Sequence, residues 1–238
     1  MGQLRVLEDA EGLARAAATL IAQHISVVLG AGGARFGLAL SGGRTPLSTY
    51  ELLASAQLVG AEQWRKVDIY FADERAVPPD HPDSNYGVIS QVLIEPARIP
   101  AANVKRIPAE EPDLEAVATQ YENRLPAALD LIVVGIGEDG HTAAIFPGSP
   151  VASEAVRRVV PVFDSPKPPA QRVTITPRVL REAREVLMLA TGEEKAEAVW
   201  RALKSETDPT DVPARLVRER EWLIDEEASS WHTTPGGG

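Results

Sequence analysis

The chain contains no cysteine. Disulfides, thiolate nucleophiles and cysteine-ligated metals are therefore excluded. Positive charge is also in short supply: 24 Lys and Arg stand against 34 Asp and Glu, a formal net charge of -10. A field of that sign argues against general nucleic-acid binding. An anionic substrate would need a local cluster of Arg and Lys to overcome it. No uninterrupted apolar run reaches the ~18 residues that span a bilayer. The start, M-G-Q-L-R-V-L-E-D-A, carries acid where a secretory signal carries base. The expectation is a cytoplasmic protein with neither nucleic acid nor membrane among its partners.

What is present is enough apolar material for a core: 44% of 238 residues. Periodicity predicts a long amphipathic helix over Glu8–Leu29, stopped by Gly30 to Gly33. Strands are expected at Phe36–Leu40, Val67–Ala72, Leu131–Val134, Arg158–Phe163, Arg172–Thr176, Glu185–Thr191 and Trp222–Asp225, the last followed by a short helix. Helices are expected from Thr45-Pro46, from Asn85, over Leu114–Leu125 and over Glu193–Leu203. Such alternation implies a mainly parallel sheet covered by helices on both faces. No repeat or interdomain linker is visible. The expectation is one α/β domain over 1–238, with a small insertion subdomain near 145–180 and a disordered tail at about 233–238.

The most informative stretch is Asp130 to Thr142, D-L-I-V-V-G-I-G-E-D-G-H-T. Leu131 to Val134 fits a strand buried on both faces. Gly135, Gly137 and Gly140 then permit sharp turns and close backbone approach. Glu138, Asp139 and His141 fall in that break, at the carboxyl edge where open α/β sheets bind ligands. A histidine titrates near ~6.5 and can act as a base around neutrality. Either Asp139 or Glu138 could orient it. His24, His81 and His232 lack such surroundings.

A second stretch, Ser41-Gly42-Gly43-Arg44-Thr45-Pro46, joins a strand to a helix start. Thr45 fits an N-cap and Pro46 a first helical residue. The free N–H groups of a helix start suit a phosphate, and Ser41 and Thr45 can add hydroxyl donors. Arg44, Arg75, Arg172 and Lys195 each stand near a strand end or helix start, so a parallel sheet would bring them to one edge. Two look-alikes fail. G-I-G-E-D-G has the spacing of a dinucleotide loop, but Glu138 and Asp139 would repel the pyrophosphate, and Pro147, Gly148 and Pro150 break the required helix. Ala39-Leu40-Ser41-Gly42-Gly43 approaches a nucleophile elbow, but its first glycine is Ala39.

L-A-L-S-G-G-R-T-P, D-I-Y-F-A-D-E-R with S-N-Y-G, D-L-I-V-V-G-I-G-E-D-G-H-T, R-V-T-I-T-P and T-G-E-E-K-A occur in this order from about Leu38 to Trp222. Together they resemble the 6-phosphogluconolactonases. The resemblance implies a doubly wound α/β fold of the sugar-phosphate isomerase/deaminase type. It implies hydrolysis of 6-phospho-D-glucono-1,5-lactone to 6-phosphogluconate, in the oxidative pentose phosphate pathway, with no cofactor and no metal. The related glucosamine-6-phosphate deaminases resemble D-G-H-I-A-F-N-E-P after their strand, with a catalytic glutamate. Phe146 stands at that glutamate's position here, and a phenyl ring cannot transfer a proton. A deaminase-like isomerase and a non-catalytic sugar-phosphate binder are the alternatives.

On this resemblance Ser41, Gly42 and Gly43 hold the phosphate, neutralised by Arg172 and Lys195 with help from Arg44. His141 is the general base and Asp139 orients it. Arg75 or a loop N–H stabilises the oxyanion, though Arg75 could equally pair with Asp73 or Glu74. Asp73 and Asn85 bind sugar hydroxyls or shape the site. The expected partner is a small phosphorylated sugar lactone, and the expected state a monomer or weak homodimer.

Overall fold

The computed structural model describes residues 3–55 and 58–230. The tail at 233–238 and His232 lie outside the described residues. In chain order the elements are β1 (Leu4–Leu7), α1 (Ala10–Gly30), β2 (Phe36–Leu40), α2 (Arg44–Ser55), α3 (Ala61–Trp64), β3 (Val67–Phe71) and β4 (Asp73–Arg75). Next come α4 (Asn85–Ile89), α5 (Leu114–Glu122), β5 (Leu131–Gly135), β6 (Val159–Val162) and β7 (Arg172–Ile175). The chain closes with α6 (Pro177–Glu182), β8 (Glu185–Ala190), α7 (Ala196–Leu203) and β9 (Glu221–Asp225).

Six strands form a parallel sheet in the order β1-β9-β8-β5-β2-β3. Leu131 to Val134 of β5 are all at most 1% exposed. Successive strand side chains face opposite ways, so a fully buried run means that both faces are covered. From β2 the chain moves outward to β3, whereas from β5 it moves the other way, to β8 and β9. The carboxyl ends of β2 and β5 therefore flank the topological switch point, where such sheets leave a crevice.

A smaller antiparallel sheet, β4-β7-β6, stands beside the first. β6 and β7 lie within residues 145–180, where an insertion subdomain is expected. Asp73-Glu74-Arg75, directly after the expected strand Val67–Ala72, forms a separate strand of this second sheet. Ala72 makes the transfer: its N–H donates to Leu40 O (2.8 Å) and its carbonyl accepts from Ile175 N (2.8 Å). That crossing carries Arg75 opposite Arg172 in the register.

Other differences have local causes. β1 is too short and too exposed to show a pattern in sequence, and gains its order from pairing with β9. α1 begins one residue after Asp9, whose carboxylate accepts from Gly12 N (2.7 Å). By length and hydropathy α1 meets the test for a membrane span, which counting uninterrupted runs misses because Glu11 and Arg15 interrupt it. Its apolar stripe, Leu13, Ala17, Ile21 and Ile25, is buried where α1 packs on α2 and the sheet. Thr45 is not an N-cap: α2 already starts at Arg44, because Gly43 turns the chain at φ +104° and its carbonyl accepts from Leu47 N (3.2 Å). The helix expected after β9 is a turn instead, held by Asp225 accepting from Ala228 N (2.8 Å).

Candidate active site

A cavity of about 530 Å³ opens at the carboxyl edge of the parallel sheet. Ser41, Gly42, Gly43 and Arg44 line one part of it, and Asp73, Arg75, His141 and Arg172 another. Lys195 reaches it from beyond β8. Nine of the eleven residues singled out in the sequence therefore share one cavity. Asp139 and Asn85 are not among the lining residues; each supports one that is.

The loop after β5 closes on itself. Gly137 N donates to His141 O (2.8 Å), Gly140 N to Gly137 O (2.9 Å), and Thr142 Oγ1 to Gly135 O (3.0 Å). Gly140 occupies the left-handed region at φ +87°, which glycine adopts without strain. The closure brings the His141 imidazole back over Gly137, where a Cβ would lie 2.0 Å from Nδ1. Asp139 Oδ1 lies 2.5 Å from His141 Nδ1 and also accepts from the His141 backbone N–H (3.2 Å). Burial pushes the Asp139 carboxyl up. The hydrogen bond and charge of His141, with a smaller contribution from Lys167, outweigh burial and hold it well below the ordinary carboxylate range. Glu138 points elsewhere, to Lys195 Nζ at 3.4 Å. The partner of His141 is therefore Asp139. With Nδ1 engaged, Nε2 is the ring nitrogen left for chemistry in the cavity.

At the turn after β2, Ser41 N donates to Val133 O (3.1 Å), locking the turn to β5. Ser41 Oγ is buried and has no hydrogen-bond partner among the described residues. Gly42 is pressed against the Asn85 side chain so closely that a Cβ would lie 2.0 Å from Asn85 Oδ1. Asn85 Nδ2 donates to Asp73 O (2.8 Å), so this residue braces the turn from behind. Thr45 lies in the first turn of α2 and its hydroxyl pairs with that of Thr191 (2.6 Å), tying the helix start to the end of β8. Asp225 accepts from Gly192 N with both oxygens (3.1 Å each), which steadies the turn leading to Lys195. Arg44 is almost wholly exposed and lies 3.7 Å from Glu194.

Arg75 donates from Nη1 to Asp83 O (2.8 Å), and its Nε lies 3.9 Å from Asp73 Oδ2. Its Nε is buried with no hydrogen-bond partner among the described residues. Glu74 is not its side-chain partner. The Glu74 carboxylate accepts from the backbone N–H groups of Arg75 (2.8 Å), Asn85 (2.8 Å) and Tyr86 (2.7 Å). Burial raises the Glu74 pKa, and those N–H groups oppose the rise. Arg172 is buried, and burial lowers its pKa against the pull of Asp73. Its Nε and Nη2 donate to the carbonyls of Lys167, Pro168 and Pro169 (3.0 to 3.2 Å). Nη1 is the end nearest Asp73 (4.0 Å).

Lys167 lines the cavity with Nζ 3.8 Å from Asp139 Oδ1, yet nothing in the sequence singled it out. It sits in Ser165-Pro166-Lys167-Pro168-Pro169, which reads as a proline-rich loop. The available signal was a cation bracketed by rigid residues; its proximity to Asp139 is purely tertiary.

Known proteins resemble this chain in sequence and fold. Residues 8–226 match the family described as glucosamine-6-phosphate isomerases/6-phosphogluconolactonase. A 6-phosphogluconolactonase from Homo sapiens is 37% identical over 247 residues, covering 98% of this chain and 95% of the human protein. One from Synechocystis is 36% identical over 204 residues, 80% of this chain and 82% of the relative. The solved 6-phosphogluconolactonase from Trypanosoma cruzi superposes with a TM-score of 0.85 at 30% identity, covering 98% of both chains.

Proposed function

The chain belongs to the family of glucosamine-6-phosphate isomerases and 6-phosphogluconolactonases, and we propose that within it the chain hydrolyses 6-phospho-D-glucono-1,5-lactone to 6-phosphogluconate. One observation carries this reading. His141, with Nδ1 held by Asp139, faces the same cavity as the Ser41–Gly43 turn at the start of α2. A base and an anion site share one crevice of a size suited to a single sugar phosphate.

The phosphate lies against the Ser41–Gly43 turn, where helix-start N–H groups and Ser41 Oγ donate to it. Lys195 supplies the counter-charge, with Arg44 and Arg172 adding to the positive field. C1 of the lactone then faces His141. Nε2 takes a proton from water as the water oxygen attacks C1. Arg75 or an N–H of the glycine loop stabilises the tetrahedral oxyanion. Collapse breaks the bond between C1 and the ring oxygen, and His141 returns its proton to that oxygen. The new carboxylic acid ionises to solvent. Asp139 keeps the imidazole in the tautomer and orientation this needs and stabilises its charged form.

Phe146 favours the lactonase over the deaminase. It occupies the position at which the deaminases have their catalytic glutamate, and it is buried. The test is a coupled assay in which glucose-6-phosphate dehydrogenase generates the lactone in place and 6-phosphogluconate is followed above spontaneous hydrolysis. Wild type accelerates the reaction, and His141→Ala loses ~10²–10⁴-fold in kcat with phosphate affinity retained. Ammonia release from glucosamine 6-phosphate without lactone turnover would overturn the reading.

A further inference from the structure

Phe146 has no proton to transfer, but its surroundings give it a task. Its ring is 2% exposed, and two of its neighbours are polar cavity-lining side chains rather than aliphatic core. The His141 imidazole lies 4.7 Å from it, centroid to centroid, with a 35° tilt. The Arg172 guanidinium carbon lies 5.4 Å from the same ring. Both distances fall within the ranges for stacking and cation–π attraction.

The backbone is shaped to deliver this ring. Thr142 and Ile145 close a tight turn, with Ile145 N donating to Thr142 O (3.0 Å). Ala143, inside it, sits at φ +50°, a conformation that costs a side-chain-bearing residue energy. Ala144 N is anchored to Thr174 Oγ1 (3.2 Å), and Phe146 O accepts from Ser149 N (3.1 Å). Five residues after His141 the chain has thus reversed and brought Phe146 against the imidazole.

Asp139 holds one edge of that imidazole, and the Gly137 backbone leaves it no more than the room it has. Asp139 fixes the Nδ1 edge and Gly137 closes off one side, so the opposite side of the ring is where the imidazole could still swing. The Phe146 ring, 4.7 Å away, closes off that swing. Arg172 keeps the Phe146 ring in place, since its Nε and Nη2 are tied to the Lys167–Pro169 carbonyls.

We infer that Phe146 is a positioning residue for the general base, its ring holding the His141 imidazole so that Nε2 faces the substrate, with Arg172 bracing the ring. This rests on the lactonase reading. The experiment is the coupled lactone assay on wild type, Phe146→Leu, Phe146→Met and Phe146→Tyr, each with a thermal melt. Leu and Met keep apolar bulk but remove the flat face; Tyr keeps the face. In the folded ring-less variants kcat falls about tenfold or more and KM changes less than about threefold, the signature of a displaced reacting group. Phe146→Tyr stays within about threefold of wild type in kcat, because the face is retained.

Wild-type kcat in either ring-less variant overturns the inference. So does a loss confined to KM, or an equal loss in the Tyr and Leu variants, which would mark simple packing. A wild-type chain without lactone turnover overturns the parent reading and this one with it. Turnover by wild type beside an unimpaired Phe146→Leu overturns the inference alone.

Discussion

Gly137→Ala separates catalysis from stability in this fold. A Cβ at Gly137 would lie 2.0 Å from His141 Nδ1, 2.1 Å from Cε1 and 2.6 Å from Asp139 Oδ1. Ordinary contact begins at 3.4 Å, so the imidazole must retreat by more than ~1 Å, a displacement that can cost 10²-fold by itself. The 2.5 Å bond between Asp139 and His141 does not survive that movement. The backbone has no objection, because Gly137 lies outside the left-handed region. Alanine there even reduces the freedom of the unfolded chain, a gain of ~0.4–1 kcal/mol that offsets part of the packing loss. The expected outcome is a folded protein whose kcat falls ~10²–10⁴-fold, the full value of a general base. That corresponds to ~3–5 kcal/mol in the barrier. Its melting temperature falls by several degrees, since ~1–3 kcal/mol of overpacking and a lost ion pair move a chain of this size by about 2–4 °C per kcal/mol, yet the protein stays folded at assay temperature. Gly30→Ala, with nothing within 4 Å of the added methyl, is the neutral control. Coupled lactone turnover and a circular-dichroism melt on all three proteins decide it. Wild-type kcat in Gly137→Ala would refute the assignment of His141, as held by Asp139, to the base.

Two further outcomes concern the charges. Lys195→Ala removes a cation that is now only 3.4 Å from Glu138 and leaves that acid facing the phosphate end. KM should rise ~10–100-fold, the worth of one charge-assisted hydrogen bond, with kcat little changed, in initial-rate measurements at varied substrate. Asp139→Asn tests the depressed carboxyl: a group whose folded pKa lies below its unfolded value stabilises the protein above the unfolded pKa of ~3.9, and loses that effect as pH falls through the folded value. Denaturant melts should therefore show wild type more stable than the variant at pH 5 to 8 and the gap closing below about pH 4. A gap that widens in acid would contradict the assigned charge state.

Much of the parallel sheet was legible in the sequence because its signals are local. Leu131–Val134 is a continuous apolar run ended by Gly135, Phe36–Leu40 is a short apolar stretch that runs into Ser41-Gly42-Gly43, and each is a central strand. Helix starts with a side-chain cap were legible too: Ser84 accepts from Gly87 N (3.0 Å) just where Asn85-Tyr86-Gly87 opens α4. Thr45 misled because it has the chemistry of a cap, whereas Gly43 had already started the helix. β1 and β4 were missed as separate strands because four and three residues carry too little periodicity; only their partners, β9 and β7, make them strands.

The sequence by itself determined which residues could do chemistry here. His141 and its two neighbouring acids stand in one glycine loop, the Ser41–Arg44 turn follows a buried strand, and no cysteine competes with them. These are matters of residue type and short spacing, which the chain carries in one dimension. Only the tertiary structure decided between Asp139 and Glu138, since both are within reach in sequence and the turn geometry aims one at His141 and the other at Lys195. It likewise moved Asn85 behind Gly42, brought Lys167 to Asp139 and set Phe146 between the base and Arg172. Apart from Phe146 against His141, which the turn at Thr142–Ile145 makes within one loop, each of those contacts joins segments held on different strands or loops. The proximity of those separate segments follows from the sheet order and the crossing at Ala72, and no local pattern encodes it.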